Sequence, residues 1–79
     1  MENNQKLVNS FHEALGIQVS LIVDSLSYQG IPEWDSISHM ILISQLEEDF
    51  NVSFETDDVI DMSSFAKAKE ILTKHGVSF

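Results

Sequence analysis

The stretch from Ser36 to Phe50 constrains this chain more than any other. Ile37, Met40, Ile43, Leu46 and Phe50 recur at steps of three, three, three and four, with Leu42 widening the stripe, which is the spacing of one buried helix face. Asp35 and Ser36 stand just before it, and both are good N-cap residues, so the spacing predicts a helix over 36–50 that forms the spine of the domain. Ile41 falls off the centre of the stripe and is expected on the exposed side, next to Ser38. The start of this helix holds Ser36 where backbone N–H groups lack intrahelical partners and the helix dipole favours negative charge, so a phosphodiester on its hydroxyl is electrostatically welcome. Read locally, Asp35-Ser36 is an ordinary cap, and only its surroundings give it more meaning.

A spine needs other helices to cover it. Leu7, Phe11 and Leu15, supported by Val8 and Ala14, predict a first helix from Asn3 or Asn4 to Leu15, stopped by Gly16. Residues 17–34 read as a long ordered loop whose apolar side chains cover the helices, with a helical turn around Leu21 to Leu26. In Ile17, Val19, Leu21 and Val23 the alternation is strand-like, but with Val52-Ser53-Phe54 as the other extended candidate a sheet would be marginal. Trp34 is expected to pack against this loop and shield the helix start. Thr56 is expected to cap a short helix over Asp57 to Asp61, docked by Val59 and Ile60. Ser63 or Ser64 then caps a last helix to about His75, with Phe65, Ala68, Ile71 and Leu72 inward, closed by Gly76. The expected fold is all-α: one domain over residues 1–79, a small four-helix bundle of three long helices and one short third helix, with a long loop between helices 1 and 2. A chain of 79 residues buries only about 60% of its unfolded surface and has no material for a second core.

Composition excludes several functions. There is no cysteine, hence no disulfide framework, thiolate zinc site or thiol nucleophile. The formal charge is −9, with four lysines and no arginine, which argues against nucleic acid and anionic membrane surfaces and points to basic protein partners. Nine acids lie between Glu33 and Asp61 with no lysine among them: Glu33, Asp35, Glu47, Glu48, Asp49, Glu55, Asp57, Asp58 and Asp61. No apolar run approaches a membrane span and Met1-Glu2-Asn3-Asn4-Gln5 is unlike a signal peptide, so the chain is expected to be soluble, cytoplasmic and monomeric.

Neither catalysis nor metal binding fits the spacing. Asp35, Ser36 and His39 contain the residue types of a catalytic triad, but an aspartate adjacent to the nucleophile cannot also buttress the far side of the histidine, and no nucleophile elbow is present. Asp57, Asp58 and Asp61 lack the glycine and closing glutamate of a calcium loop. His12 has no ligand partner at metal spacing and reads as a surface or boundary residue.

A covalent carrier remains. Asp35-Ser36-Ile37, then an amphipathic run ending Leu46-Glu47-Glu48-Asp49-Phe50, then a short acidic segment and a last amphipathic helix, resembles the acyl carrier protein family from the first helix to Leu72. The resemblance implies 4'-phosphopantetheine on Ser36, derived from coenzyme A by a phosphopantetheinyl transferase and holding acyl or aminoacyl intermediates as thioesters. It implies recognition through Asp35, Ile37, Ile41, Glu47 and Glu48 by loading, condensing or transferring enzymes with basic docking surfaces. It further implies an acyl cleft lined by Met40, Leu46, Val59 and Ile60, with no catalytic residue and no metal. Asp24-Ser25-Leu26 matches the short motif better, since the family has Leu after its serine, but Ser27-Tyr28-Gln29-Gly30-Ile31-Pro32 cannot continue a helix, so context selects Ser36. Trp34, Ser38 and Ile41 depart from fatty-acid carriers, and the Trp-Asp-Ser form looks more like dedicated carriers of secondary pathways or cell-surface biosynthesis. The alternative is an unmodified acidic helical adaptor for a basic protein.

Overall fold

Each long helix stops where a residue tolerating the left-handed region stands. α1, Asn3–Leu15, ends at Gly16 with φ 65°, whose N–H donates to the carbonyl of His12. α2, Ser36–Phe50, ends at Asn51 with φ 54°, one of the few non-glycine residue types that adopts this geometry readily. α3, Thr56–Asp61, and α4, Phe65–Lys74, complete the chain. The computed structural model describes residues 2–79, and among these it contains four α-helices and no β-strand.

The core is drawn from three helices and the segment between α1 and α2. Leu7, Phe11 and Leu15 of α1 meet Leu42, Ile43 and Leu46 of α2 and Phe65, Ala68, Ile71 and Leu72 of α4, all buried as their spacing demands. Trp34 is fully buried at the centre, with Phe11 edge-on to it at 5.4 Å and Phe65 edge-on to Phe11 at 5.0 Å. Each such side chain contributes on the order of 2 kcal/mol through removal from water, so the packing, with no disulfide to help, carries the fold.

Between α1 and α2 the expected helical turn lies earlier than Leu21 to Leu26, as a 3-10 turn at Val19–Leu21. The strand-like alternation is broken: Ile17, Ile22 and Leu26 are buried, while Val19, Leu21 and Val23 are half exposed. Backbone bonds tie this segment to the start of α4, Tyr28 N–H to the Ser63 carbonyl and Phe65 N–H to the Leu26 carbonyl, both at 2.9 Å. Ser64 caps α4 by accepting from Lys67 N–H at 3.0 Å, and Gly76 follows the helix at φ 94°.

Two expectations are corrected. The inward face of α2 is His39, Leu42, Ile43 and Leu46, and Ile37 and Met40 point out, rotating the expected stripe. From Ile37 to Ile43 the helix is apolar nearly all round, so periodicity leaves its phase open, and Trp34 settles it by stacking on His39. In α3 the N-cap is Glu55, one residue earlier than Thr56, and Asp58 is the buried residue, with Val59 half-buried and Ile60 exposed. The cap shifts because the Asp58 carboxylate accepts from Glu55 N–H at 3.1 Å.

Candidate functional site: the start of the second helix

The Asp35 carboxylate accepts from Ile37 N–H at 3.1 Å and Ser38 N–H at 2.9 Å, meeting two of the orphan donors of α2. In return the Ser38 hydroxyl accepts from Asp35 N–H at 2.9 Å and donates to the Glu33 carbonyl at 2.6 Å. This is a capping box with serine in the place of the usual Glu or Gln. The bond from Ser38 N–H, and after it that from Ile37 N–H, hold the Asp35 carboxyl below the usual carboxylate range.

A second tie lies beneath. Trp34 and His39 occupy the positions just before the cap and at the fourth helical residue, where an apolar pair commonly fixes the angle at which a chain enters a helix. Here the pair also hydrogen-bonds: Trp34 Nε1–H donates to His39 Nδ1 at 2.9 Å, with the rings stacked at 6.0 Å. His39 Nε2 lies 2.9 Å from the Val59 carbonyl, so the same imidazole reaches α3. Between the two ties Ser36 is exposed in the first turn. Both nitrogens of His39 are engaged away from it, leaving no base for its hydroxyl on this histidine.

Exposed apolar residues follow Ser36 along α2, and another lies on α3. Ile37 is 74% exposed, Met40 54%, Ile41 52% and, on α3, Ile60 72%. At about 100° per residue Ile37, Met40 and Ile41 share one outer face of α2 with Ser44 and Glu48, one turn and more beyond Ser36. Of the four residues expected to line an acyl cleft, Leu46 is closed within the core, Val59 is half-buried, and Met40 and Ile60 are exposed. Nor are the two glutamates equivalent, since Glu47 accepts from Phe54 N–H at 2.8 Å and braces the α2–α3 turn, while Glu48 is exposed.

The other serine triplet differs in its setting. Ser25 is exposed in a turn, Asp24 pairs with Lys69 at 3.2 Å, and Leu26 is buried, so Asp24-Ser25-Leu26 is attached to α4 and caps no helix. His12 is exposed, with Nδ1 on the Ile17 carbonyl.

Two residues of consequence were missed in the sequence. By residue type His39 suggests only a catalytic base, although its spacing from Trp34 is that of the helix-start pair. Asp58 reads as one more surface acid, yet it is 2% exposed and bonds Lys74 and, at 2.8 Å, His75. Lys74 chiefly, then His75 and Glu55 N–H, hold its carboxyl far below the usual range, and Asp58 in turn raises Lys74. Its signal was the Glu55-Thr56-Asp57-Asp58 cap spacing with a basic pair at the end of α4. No helix among the described residues is long and apolar enough to cross a membrane. No protein-family model, curated protein or solved structure matches this chain.

Proposed function

We propose that this chain is a non-enzymatic carrier, a four-helix bundle with a long loop between helices 1 and 2, bearing 4'-phosphopantetheine on Ser36. One observation carries the reading: an exposed serine in the first turn of a doubly tied helix, on a surface of exposed apolar residues with acids around it. The Ser36 oxygen would displace the adenosine bisphosphate of coenzyme A from phosphorus and lose its proton, forming a phosphodiester near the positive end of the helix dipole. When bound, the arm supplies the thiol that this cysteine-free chain lacks, for holding acyl or aminoacyl groups as thioesters.

The chain's own residues present the arm. The Asp35–Ser38 box fixes the first turn, Trp34 and His39 fix its direction, and Ile37, Met40, Ile41 and Ile60 offer an apolar centre to a partner. The exposed acids Asp35, Glu48, Asp57 and Asp61 suit fast, salt-sensitive encounters with basic enzyme surfaces. Met40 and Ile60 thus belong in this reading to docking, and Glu47 to local folding.

Incubation with coenzyme A, magnesium and a broad-specificity phosphopantetheinyl transferase should add one phosphopantetheine by mass to the wild type and to Ser25→Ala, and none to Ser36→Ala. No gain in wild type, or an unchanged gain in Ser36→Ala, refutes the reading. An unmodified acidic adaptor would instead keep its partner binding in Ser36→Ala.

A further inference from the structure

We propose that His39 is a proton-operated latch joining the start of α2 to α3. The protonation state of its ring follows from its partners. The indole N–H of Trp34 can only donate, so His39 Nδ1 must accept and carry no proton. The Val59 carbonyl can only accept, so Nε2 must carry the proton and donate. The latched ring is therefore the neutral Nε2–H form, and it is buried.

Adding a proton at Nδ1 turns N–H toward N–H. The ring cannot then hold Trp34 and the Val59 carbonyl in the present geometry, and a flip only brings its other N–H against the indole. Acidification therefore undoes the bridge between the chain entering α2 and the short helix α3. The surroundings make α3 sensitive to this loss. Within α3 Val59 is half-buried against the core and Ile60 is 72% exposed, so polar ties, from Val59 to His39 and from Asp58 to Lys74 and His75, add to the hold of buried Met62 at its end.

The titratable and charged groups on the elements around the imidazole are Asp24, Tyr28, Glu33 and Asp35 on the connecting segment and Glu55, Asp57, Asp58 and Asp61 on α3 and its cap; Asp24 is paired with Lys69 at 3.2 Å and Glu55 is exposed. The Tyr28 ring contacts the imidazole at 5.1 Å, Asp58 is committed to Lys74 and His75, and Glu33, Asp35, Asp57 and Asp61 are exposed. The latch is a property of the fold and stands whether or not Ser36 is modified.

Nitrogen-15 NMR on the unmodified full chain tests it. At pH 8 the His39 ring should show the neutral Nε2–H form. Between pH 8 and pH 5 the Trp34 indole N–H and the amides of Val59 and Ile60 should shift together with that ring in one step, and His39→Gln, which cannot titrate, should lack the step. The opposite tautomer or a cationic ring at pH 8 overturns the proposal, a reading that needs no variant. So does an indole signal that stays constant to pH 5, or one that shifts equally in His39→Gln.

Discussion

The two faces of α2 are made of similar residues and do opposite things. Inward, Leu42, Ile43 and Leu46 are closed in the core, while outward Ile37, Met40 and Ile41 stand in water. Hydrophobicity does not separate the two sets. What separates them is which face has neighbours: α1 and the rest of the core cover one, and Trp34 stacks on His39 on that side. A helix apolar on both faces with only one covered carries an exposed cost that folding does not require. That excess is what a docking surface beside Ser36 would explain.

The largest effect should come from the covered face. Leu42 is fully buried against the core, and Leu42→Ala removes three methyl or methylene-sized groups where neighbours can collapse only in part. Urea unfolding should show a loss of about 3 kcal/mol. A loss under about 1 kcal/mol would mean that the inner face is not the packed one.

Asp58 extends the comparison to α3, whose covered face is polar. Asp58→Asn keeps the side-chain volume but gives up the charge that Lys74 and His75 meet, and since Lys74 can re-enter water the loss at pH 7 should be about 2 kcal/mol. The pH dependence follows from the sign of the shift. The folded carboxyl titrates below its unfolded value of about 3.9, so its stabilisation is fully present above that value and is lost as pH falls toward the folded one. The gap between wild type and Asp58→Asn in chemical unfolding should therefore hold from pH 7 to about pH 5 and narrow below about pH 4. A gap that does not change with pH would make Asp58 a packing residue, its charge irrelevant.

Most of the helical layout was legible in the sequence because its signals are local. Leu7, Phe11 and Leu15 share a face by spacing alone, as do Phe65, Ala68, Ile71 and Leu72, and Gly16, Ser64 and Gly76 act within a residue or two of the helix ends. The position of Ser36 at a helix start was legible for the same reason. The phase of α2 was not, because seven residues with apolar groups on every side give no direction, and the deciding contact is between Trp34 and His39. Asp58 was hidden because burial of a carboxylate depends on Lys74 and His75 arriving from α4, a long-range fact that composition renders as one more acid. Spacing puts Met40 inward and hydrophobicity puts Ile60 inward, and both say that a side chain would gain from cover and not that cover exists.

The smallest effect should come from the outer face, and it is the sharpest test of the difference between the two. Ile41→Ser and Met40→Ser remove apolar groups that are already half exposed, from a helix interior where serine is close to isoleucine in propensity and a few tenths of a kcal/mol below methionine. Each should change unfolding stability by no more than about 0.5 kcal/mol. If the outer face serves docking, the same variants should slow arm attachment by the transferase while circular dichroism stays unchanged, because the apolar centre of a transient interface carries more of its energy than the charged rim. Unchanged stability with unchanged attachment would leave the exposed apolar residues without a role in that encounter. A loss of more than about 1 kcal/mol would show that this face is covered in solution, and the distinction between the two faces would fail.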